Sequence, residues 1–146
     1  MEWKRGAFTI STDRRRLDRE TIYGFLAQSY WARGIPREVV DRSIDNALCF
    51  GLYEGERQVG FARVITDRAT FAYLGDVFIL ESHRGRGLSK WLMEVVMGHP
   101  DLQNLRRWSL ATRDAHGLYE RFGFRRLANP DLLMEIVDMD IYLPKA

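Results

Sequence analysis

The run Val77-Phe78-Ile79-Leu80-Glu81-Ser82-His83-Arg84-Gly85-Arg86-Gly87-Leu88-Ser89 carries the most structural information in the chain. Its first four residues are apolar and close a strand-like stretch, Thr70–Leu80, so both faces of that strand end are expected to be buried. Beyond the turn, Leu88, Trp91, Leu92, Val95 and Val96 recur on one stripe, which predicts an amphipathic helix from Leu88 to Gly98. Between strand and helix, Gly85 and Gly87 allow a tight turn and a close backbone approach. The first N–H groups of a helix lack internal partners and sit at the positive end of its dipole. Such groups, gathered at one turn, suit an anion such as a pyrophosphate. Arg84 and Arg86 would add charge and forked donors. No Gly-Lys-Ser/Thr follows, which excludes the phosphate loop of nucleotide hydrolases. A third glycine and a second βαβ half are missing, which argues against a dinucleotide fingerprint. On these residues alone the stretch is either a structural turn or an anion site.

Working outward, the upstream chain reads as a strand at Ala7–Ser11, a helix capped by Asp18 and running to about Ser29, and a loop at Tyr30–Ile35. Pro36 suits the first turn of a second helix, where its missing N–H costs nothing; that helix runs to about Asn46. Cys49–Tyr53 and Gln58–Thr66 are strand-like and joined by a hairpin turn at Glu54–Arg57. Downstream, Arg107–Ala111 reads as a strand and Ala115–Phe122 as a short helix closed by Gly123. Phe124–Leu127 and Ile136–Leu143 read as two last strands. The expected order is β-α-α-β-β-β-α-β-α-β-β, an α+β fold with a mixed sheet.

The chain has 146 residues, 46% hydrophobic and 29% charged, the balance of one folded domain spanning 1–146. No run approaches the ~18 apolar residues of a membrane span, and Met1–Arg5 leads into no signal-peptide core. The single cysteine, Cys49, excludes an intramolecular disulfide and points to the reducing cytosol, a cytoplasmic location. Placed early in the sheet, it reads as a small core residue, not a nucleophile. The three histidines, His83, His99 and His116, do not fall at metal-ligand spacing, so no metal is expected. A net charge of +2 is too mild to imply nucleic acid, although Arg14–Arg16, Arg106-Arg107 and Arg125-Arg126 cluster locally.

A second motif, Ala115-His116-Gly117-Leu118-Tyr119-Glu120-Arg121-Phe122-Gly123-Phe124, follows one strand later. Leu118 and Phe122 are spaced to face the core, and Tyr119 lies beside that stripe, either packed at the helix surface or pointing its hydroxyl into a cleft. The strand–Arg-Gly-x-Gly–helix unit followed by Ala-x-x-Leu-Tyr-x-x-x-Gly-Phe resembles the GNAT superfamily of acyl-CoA-dependent N-acetyltransferases. The resemblance follows the whole chain in element order and is strongest from Phe71 to Leu127. It implies a three-layer fold whose central parallel strands splay apart. It also implies that the backbone of Val77, Phe78 and Ile79 holds the pantetheine arm of acetyl-CoA. Arg84, Gly85, Arg86, Gly87, Leu88 and Ser89 then take its pyrophosphate, and Tyr119 protonates the departing thiolate. The family's frequent Gln or Arg is Ser82 here, and its frequent Asn is Thr112, which can still offer a hydroxyl to the cofactor.

Acyl transfer to an amine further needs proximity, a route for the amine proton and a donor for the developing oxyanion. A backbone N–H near Phe78-Ile79 is the natural oxyanion donor. Asp76, a carboxylate in an apolar strand, must face a cleft, a partner or water. It is a candidate base or amine-recognition group, and Arg63 on the neighbouring strand is its candidate partner. Asp114 reads as an N-cap and His116 as an exposed helix residue. Tyr30, Trp31 and Arg33 are expected over the acceptor cleft, for an amine of a small molecule or protein. The other class of reading is a non-catalytic acyl-CoA-binding module of the same fold. Met134–Leu143 alternates Ile136, Asp138 and Asp140 against Val137, Met139 and Ile141. That pattern suits a strand pairing within or between chains, a homodimer in the latter case.

Overall fold

A computed structural model describes residues 1–145. The chain opens on a hairpin, β1 (Glu2–Arg5) and β2 (Phe8–Ser11), turned at Gly6, followed by α1 (Arg19–Gln28) and α2 (Arg37–Asp45). Next come β3 (Leu48–Glu54), β4 (Arg57–Thr66), β5 (Phe71–Ile79), α3 (Leu88–Gly98), β6 (Arg107–Leu110) and α4 (His116–Glu120). The six strands form one sheet in the order β1-β2-β3-β4-β5-β6; the pairs are antiparallel except β5 with β6, which is parallel.

Alternation along the strands sends side chains to two cores. Phe50, Ala62 and Ile79 join Leu88, Trp91, Leu92, Val96 and Tyr119 on the α3–α4 face. Cys49, Phe61 and Phe78 join Ile22, Leu26, Val40 and Ile44 on the α1–α2 face. A strand carries successive side chains to opposite faces, so the sheet becomes the middle of three layers. Asp18 caps α1 through its carboxylate to the Thr21 N–H at 3.2 Å, as expected. Pro36 sits one position ahead of α2, at its cap, and not inside the first turn.

Two irregularities in β5 shape the site. Against β4, Phe78 faces Phe61 but Gly75 faces Arg63, so β5 carries one extra residue between them. Asp76 takes a φ of +53° there, in the left-handed region that residues with side chains seldom enter. Such a bulge leaves one residue out of the ladder and bends the strand. Against β6, pairing runs only from Phe71–Arg107 to Leu74–Leu110, while β5 continues to Ile79. The two parallel strands therefore splay, as the family resemblance implied.

Three elements differ from the sequence reading. β1 was not expected, because Glu2-Trp3-Lys4-Arg5 shows no apolar alternation; pairing with β2 makes it a strand all the same. Phe124–Leu127 and Ile136–Leu143 form no strands, and among the described residues the sheet ends at β6. After Gly123 (φ +95°) the chain makes a 3₁₀ turn at Pro130–Leu132 and turns again over Asp138–Leu143. Alternation is thus neither necessary nor sufficient for a strand, which needs above all an edge to pair with.

Candidate active site

The gap between the splayed ends of β5 and β6 opens into a cavity of about 820 Å³. Val77, Phe78 and Ile79 line one wall, Arg84, Gly85, Gly87, Leu88 and Ser89 the floor at the start of α3, and Tyr119 the far side. Gly85 and Gly87 have φ values of +79° and +73°, and a Cβ at either would meet nothing within 4 Å. The turn is thus both left-handed and open, with room for a ligand to approach its backbone. Gly87 is the N-cap of α3 and supplies no side-chain cap, so the first-turn N–H groups have no side chain to satisfy them. The residues present therefore fit the pyrophosphate and pantetheine of acetyl-CoA. Arg84 folds its Nε onto the Ile79 carbonyl at 3.1 Å and pins the turn to the strand end. Arg86 is exposed and lines none of the cavities described here.

A second cavity, of about 650 Å³, lies on the other side of the gap. Tyr30, Trp31, Tyr73, Asp76, Thr112 and Tyr142 are among its walls. Tyr30, Trp31, Val77 and Tyr119 line both cavities, so the two meet at these residues. Tyr119 is 9% exposed, in edge contact with Phe124 at 6.0 Å, and its hydroxyl makes no hydrogen bond among the described residues. Burial, with Tyr30 and the Asp114 carboxylate nearby, raises its pKa, so it holds its proton at neutral pH.

Asp76 is fully engaged. Its Oδ1 accepts the Trp31 Nε1–H at 2.8 Å, and its Oδ2 accepts the Arg63 Nε–H at 2.8 Å. The Asp76 and Arg63 side chains are only 11% and 17% exposed. The pairing with Arg63 is the one the sequence offered, and the bond to Trp31 gives Asp76 a place in the acceptor-side wall. The bulge turns the carboxylate out of the strand, and Arg63 and Trp31 take it up, so it fixes Trp31 over the cavity. Arg33 is exposed and lines none of the three cavities. Asp114 caps nothing, for Ala115 is the N-cap of α4 and no side chain caps that helix; Thr112 Oγ1 accepts the Ala115 N–H at 3.1 Å in the turn before it. The Thr112 O–H itself stays free to donate. His116 is exposed. Cys49 is buried, and burial pushes its thiol up to about 11, which suits an inert core residue.

Several lining residues escaped the sequence reading. Phe25 stacks on Phe78 with centroids 4.0 Å apart and forms part of the cofactor-side wall. Arg113 lies over the Tyr30 ring at 3.9 Å, while its N–H donates to the Tyr30 hydroxyl at 3.2 Å. Tyr73, Met139 and Tyr142 face the second cavity from distant parts of the chain. Phe25 could have been suspected from its place on the α1 stripe; the others carry no local signal.

Comparison with known proteins defines the class. Residues 45–126 match the family model described as an acetyltransferase (GNAT) domain. A protein of Gibberella zeae named as a putative acetyltransferase is 33% identical over 141 residues, covering 80% of this chain and 78% of its own. The chain belongs to the GNAT family of acetyltransferases. Among solved structures, a putative acetyltransferase of the GNAT family from Xanthomonas campestris pv. campestris superimposes with a TM-score of 0.92 at 56% identity, over 94% of this chain and 97% of that one. A predicted acetyltransferase from Clostridium acetobutylicum, solved with acetyl-CoA, shares the fold at a TM-score of 0.63 and 12% identity, over 89% of this chain and 94% of that one.

Proposed function

We propose that the chain is an acetyl-CoA-dependent N-acetyltransferase acting on a primary amine of a small molecule or protein by direct attack in a ternary complex. The observation that carries this reading is the meeting of two cavities at Tyr119, one with a phosphate cradle and one walled by aromatic rings and a carboxylate. Acetyl-CoA supplies an acetyl group already activated as a thioester. The turn at Arg84–Ser89 binds its phosphates, and the β5 end orients its arm between the splayed strands. The bulge at Asp76-Val77 leaves backbone outside the β4 ladder, so an N–H there is available to steady negative charge on the reacting oxygen. Trp31, held by Asp76, and Tyr30, held by Arg113, orient the acceptor. Tyr119 delivers the proton that the leaving sulfur needs. A thiol titrates near ~8.5 and a Tyr near ~10, and burial raises Tyr119 further, so the phenol still holds its proton when the thiolate departs. The likeness to a fold-mate solved with acetyl-CoA supports the donor assignment.

The test is acetyl-CoA-dependent CoA release across an amine panel, with Tyr119→Phe beside the native chain. The Phe variant keeps the ring and loses the O–H. Its single-turnover rate is expected to fall about 10²–10⁴-fold, with kcat and kcat/KM falling together. Acetyl-CoA affinity is expected to hold. An unchanged single-turnover rate would assign Tyr119 to packing. Tight acetyl-CoA binding without turnover on any amine would favour the non-catalytic binding module.

A further inference from the structure

The charged side chains in the walls of the acceptor-side cavity are Arg63, Asp76, Arg113 and Asp114. Arg63 and Asp76 are spent on each other and on Trp31. The Arg113 and Asp114 side chains are not, for neither has a hydrogen-bond or ion-pair partner among the described residues. Both also line the cofactor-side cavity, so a free cation and a free anion stand beside Tyr119 where the two cavities meet. The Arg113 guanidinium carbon lies 3.9 Å from the Tyr30 ring centroid. A guanidinium so close over a ring gives one face to it and keeps its forked N–H edge for a carboxylate.

Away from that junction the cavity turns aromatic and apolar. Tyr73, Tyr142, Ile35, Leu74 and Leu110 line the acceptor side alone. Tyr142 comes from the arm that follows α4 and is anchored against the α1–α2 core. At the mouth, Tyr30 and Trp31 are 46% and 38% exposed, large rings left in water until a ligand covers them. Both rings are already fixed, Trp31 by the Asp76 carboxylate and Tyr30 by Arg113, so little freedom is lost when a ligand packs on them. These walls suit a polyamine poorly, since several ammonium groups call for several free carboxylates and Asp114 alone is unpaired among the described residues of the cavity. A sugar phosphate calls in the same way for more than one free cation.

We propose that the acceptor is a free α-amino acid with an aromatic side chain. Its ring fills the space walled by Tyr73 and Tyr142, its carboxylate takes the Arg113 fork, and its ammonium is drawn to Asp114. Such a molecule carries both charges on one carbon, as the junction carries both complements on neighbouring residues. The assignment rests on the acetyl-transfer reading above. The ammonium loses one proton to solvent, and the nitrogen lone pair forms the N–C bond to the thioester carbonyl carbon. The C–S bond breaks with its electron pair on sulfur, which takes the Tyr119 proton. A second amine proton returns to the Tyr119 oxygen through water, leaving an N-acetyl amino acid and CoA.

The test is CoA release from acetyl-CoA with L-phenylalanine, L-alanine, phenethylamine and spermidine as acceptors, beside the wider amine panel. The kcat/KM for phenylalanine is expected to exceed that for phenethylamine, which lacks the carboxylate, about 10–100-fold, the worth of a charge-assisted hydrogen bond. It is expected to exceed that for alanine by about as much, because alanine leaves the aromatic walls uncovered. Arg113→Ala is expected to erase the preference for phenylalanine over phenethylamine, and Arg113→Lys to restore part of it. Support of Tyr30 alone would instead lower both acceptors alike. Calorimetry of L-phenylalanine into the CoA-saturated chain is expected to show the same loss of affinity in Arg113→Ala without turnover. Equal use of phenethylamine, alanine or spermidine, or a preference that survives Arg113→Ala, would overturn the proposal and leave acetyl transfer standing. So would release with other amines of the panel and none with phenylalanine. No release with any amine would overturn acetyl transfer and the proposal with it.

Discussion

The turn after β5 and the arm after α4 were read from equally regular sequence, yet only the first became the structure its pattern suggested. Arg84–Ser89 depends on forces that act within a few residues. Two glycines reach positive φ, a helix begins, and an arginine folds back on the strand it follows. The arm's alternation depends on an edge far away in sequence, and the single chain leaves that edge unpaired. A motif that carries its own partners forms where it is written, whereas a strand forms only where a second strand receives it.

Substitutions can sharpen this contrast. The largest effect is expected at Gly87→Glu, which sets a carboxylate in the turn proposed for the cofactor's phosphates and a side chain at φ +73°. Acetyl-CoA affinity is expected to drop at least ~100-fold, read by calorimetry, since two like charges meet at a site built for an anion. The melting temperature is expected to fall only by the left-handed cost of ~1–2 kcal/mol. Unchanged affinity would remove the turn from the site.

Asp76→Asn comes next. It keeps an acceptor for Trp31 but leaves the mostly buried Arg63 guanidinium without its counter-charge. A loss of about 3 kcal/mol in denaturant unfolding is expected, together with a raised KM for the amine. A loss confined to kcat, with stability intact, would restore Asp76 as a base.

Gly34→Ala probes the other region. The added methyl meets the Tyr142 carbonyl and a φ of +82°, so the arm's far anchor is expected to loosen at a cost of ~2 kcal/mol. Acetyl-CoA affinity is expected to stay put, because the cradle lies elsewhere. If it fell with the stability, the two regions would not be separable.

The smallest effects are expected in the sheet that both regions share. Burial lifts the Cys49 thiol from an ordinary 9.0 to about 11 and the Tyr53 phenol from 10.0 to about 12. Both folded-state values lie above the unfolded ones. The stability they contribute is therefore complete below pH 9 and lost as pH rises toward 12. Urea midpoints measured across that range are expected to decline. The Tyr53 hydroxyl is buried without a hydrogen-bond partner, so Tyr53→Phe is expected to be neutral or to stabilise by up to ~1 kcal/mol. It is also expected to flatten the upper end of the alkaline decline.

Most of the framework could be read in advance because its causes are short-ranged. Asp18 caps α1, Leu88 to Val96 repeat at helical spacing, and Val77 to Leu80 announce a strand end buried on both faces. Tyr119 was legible as a residue on the edge of a short helix. What it faces was not, because that depends on where β5 parts from β6. Asp76 was legible as an anomaly, a carboxylate in an apolar run with Arg63 as a partner. Its bond to Trp31 joins residues 45 positions apart, and no local pattern reports such a pair. Asp114 read as the cap of α4, yet no side chain caps that helix, since which polar residue reaches a helix start is settled only when the backbone turns.

By itself, then, the sequence determined the elements whose forces close within a turn or two of chain: the Asp18-capped α1, the amphipathic α3, the β3–β4 hairpin and the glycine turn at Arg84–Ser89. Only the tertiary structure decided that two cavities meet at Tyr119, that Asp76 is spent on Arg63 and Trp31, and that the last alternating segment stands unpaired. The physical reason is range. Capping, glycine freedom and amphipathic spacing are satisfied by neighbours in sequence, while a cavity, an ion pair or a sheet edge exists only after distant segments have been brought together.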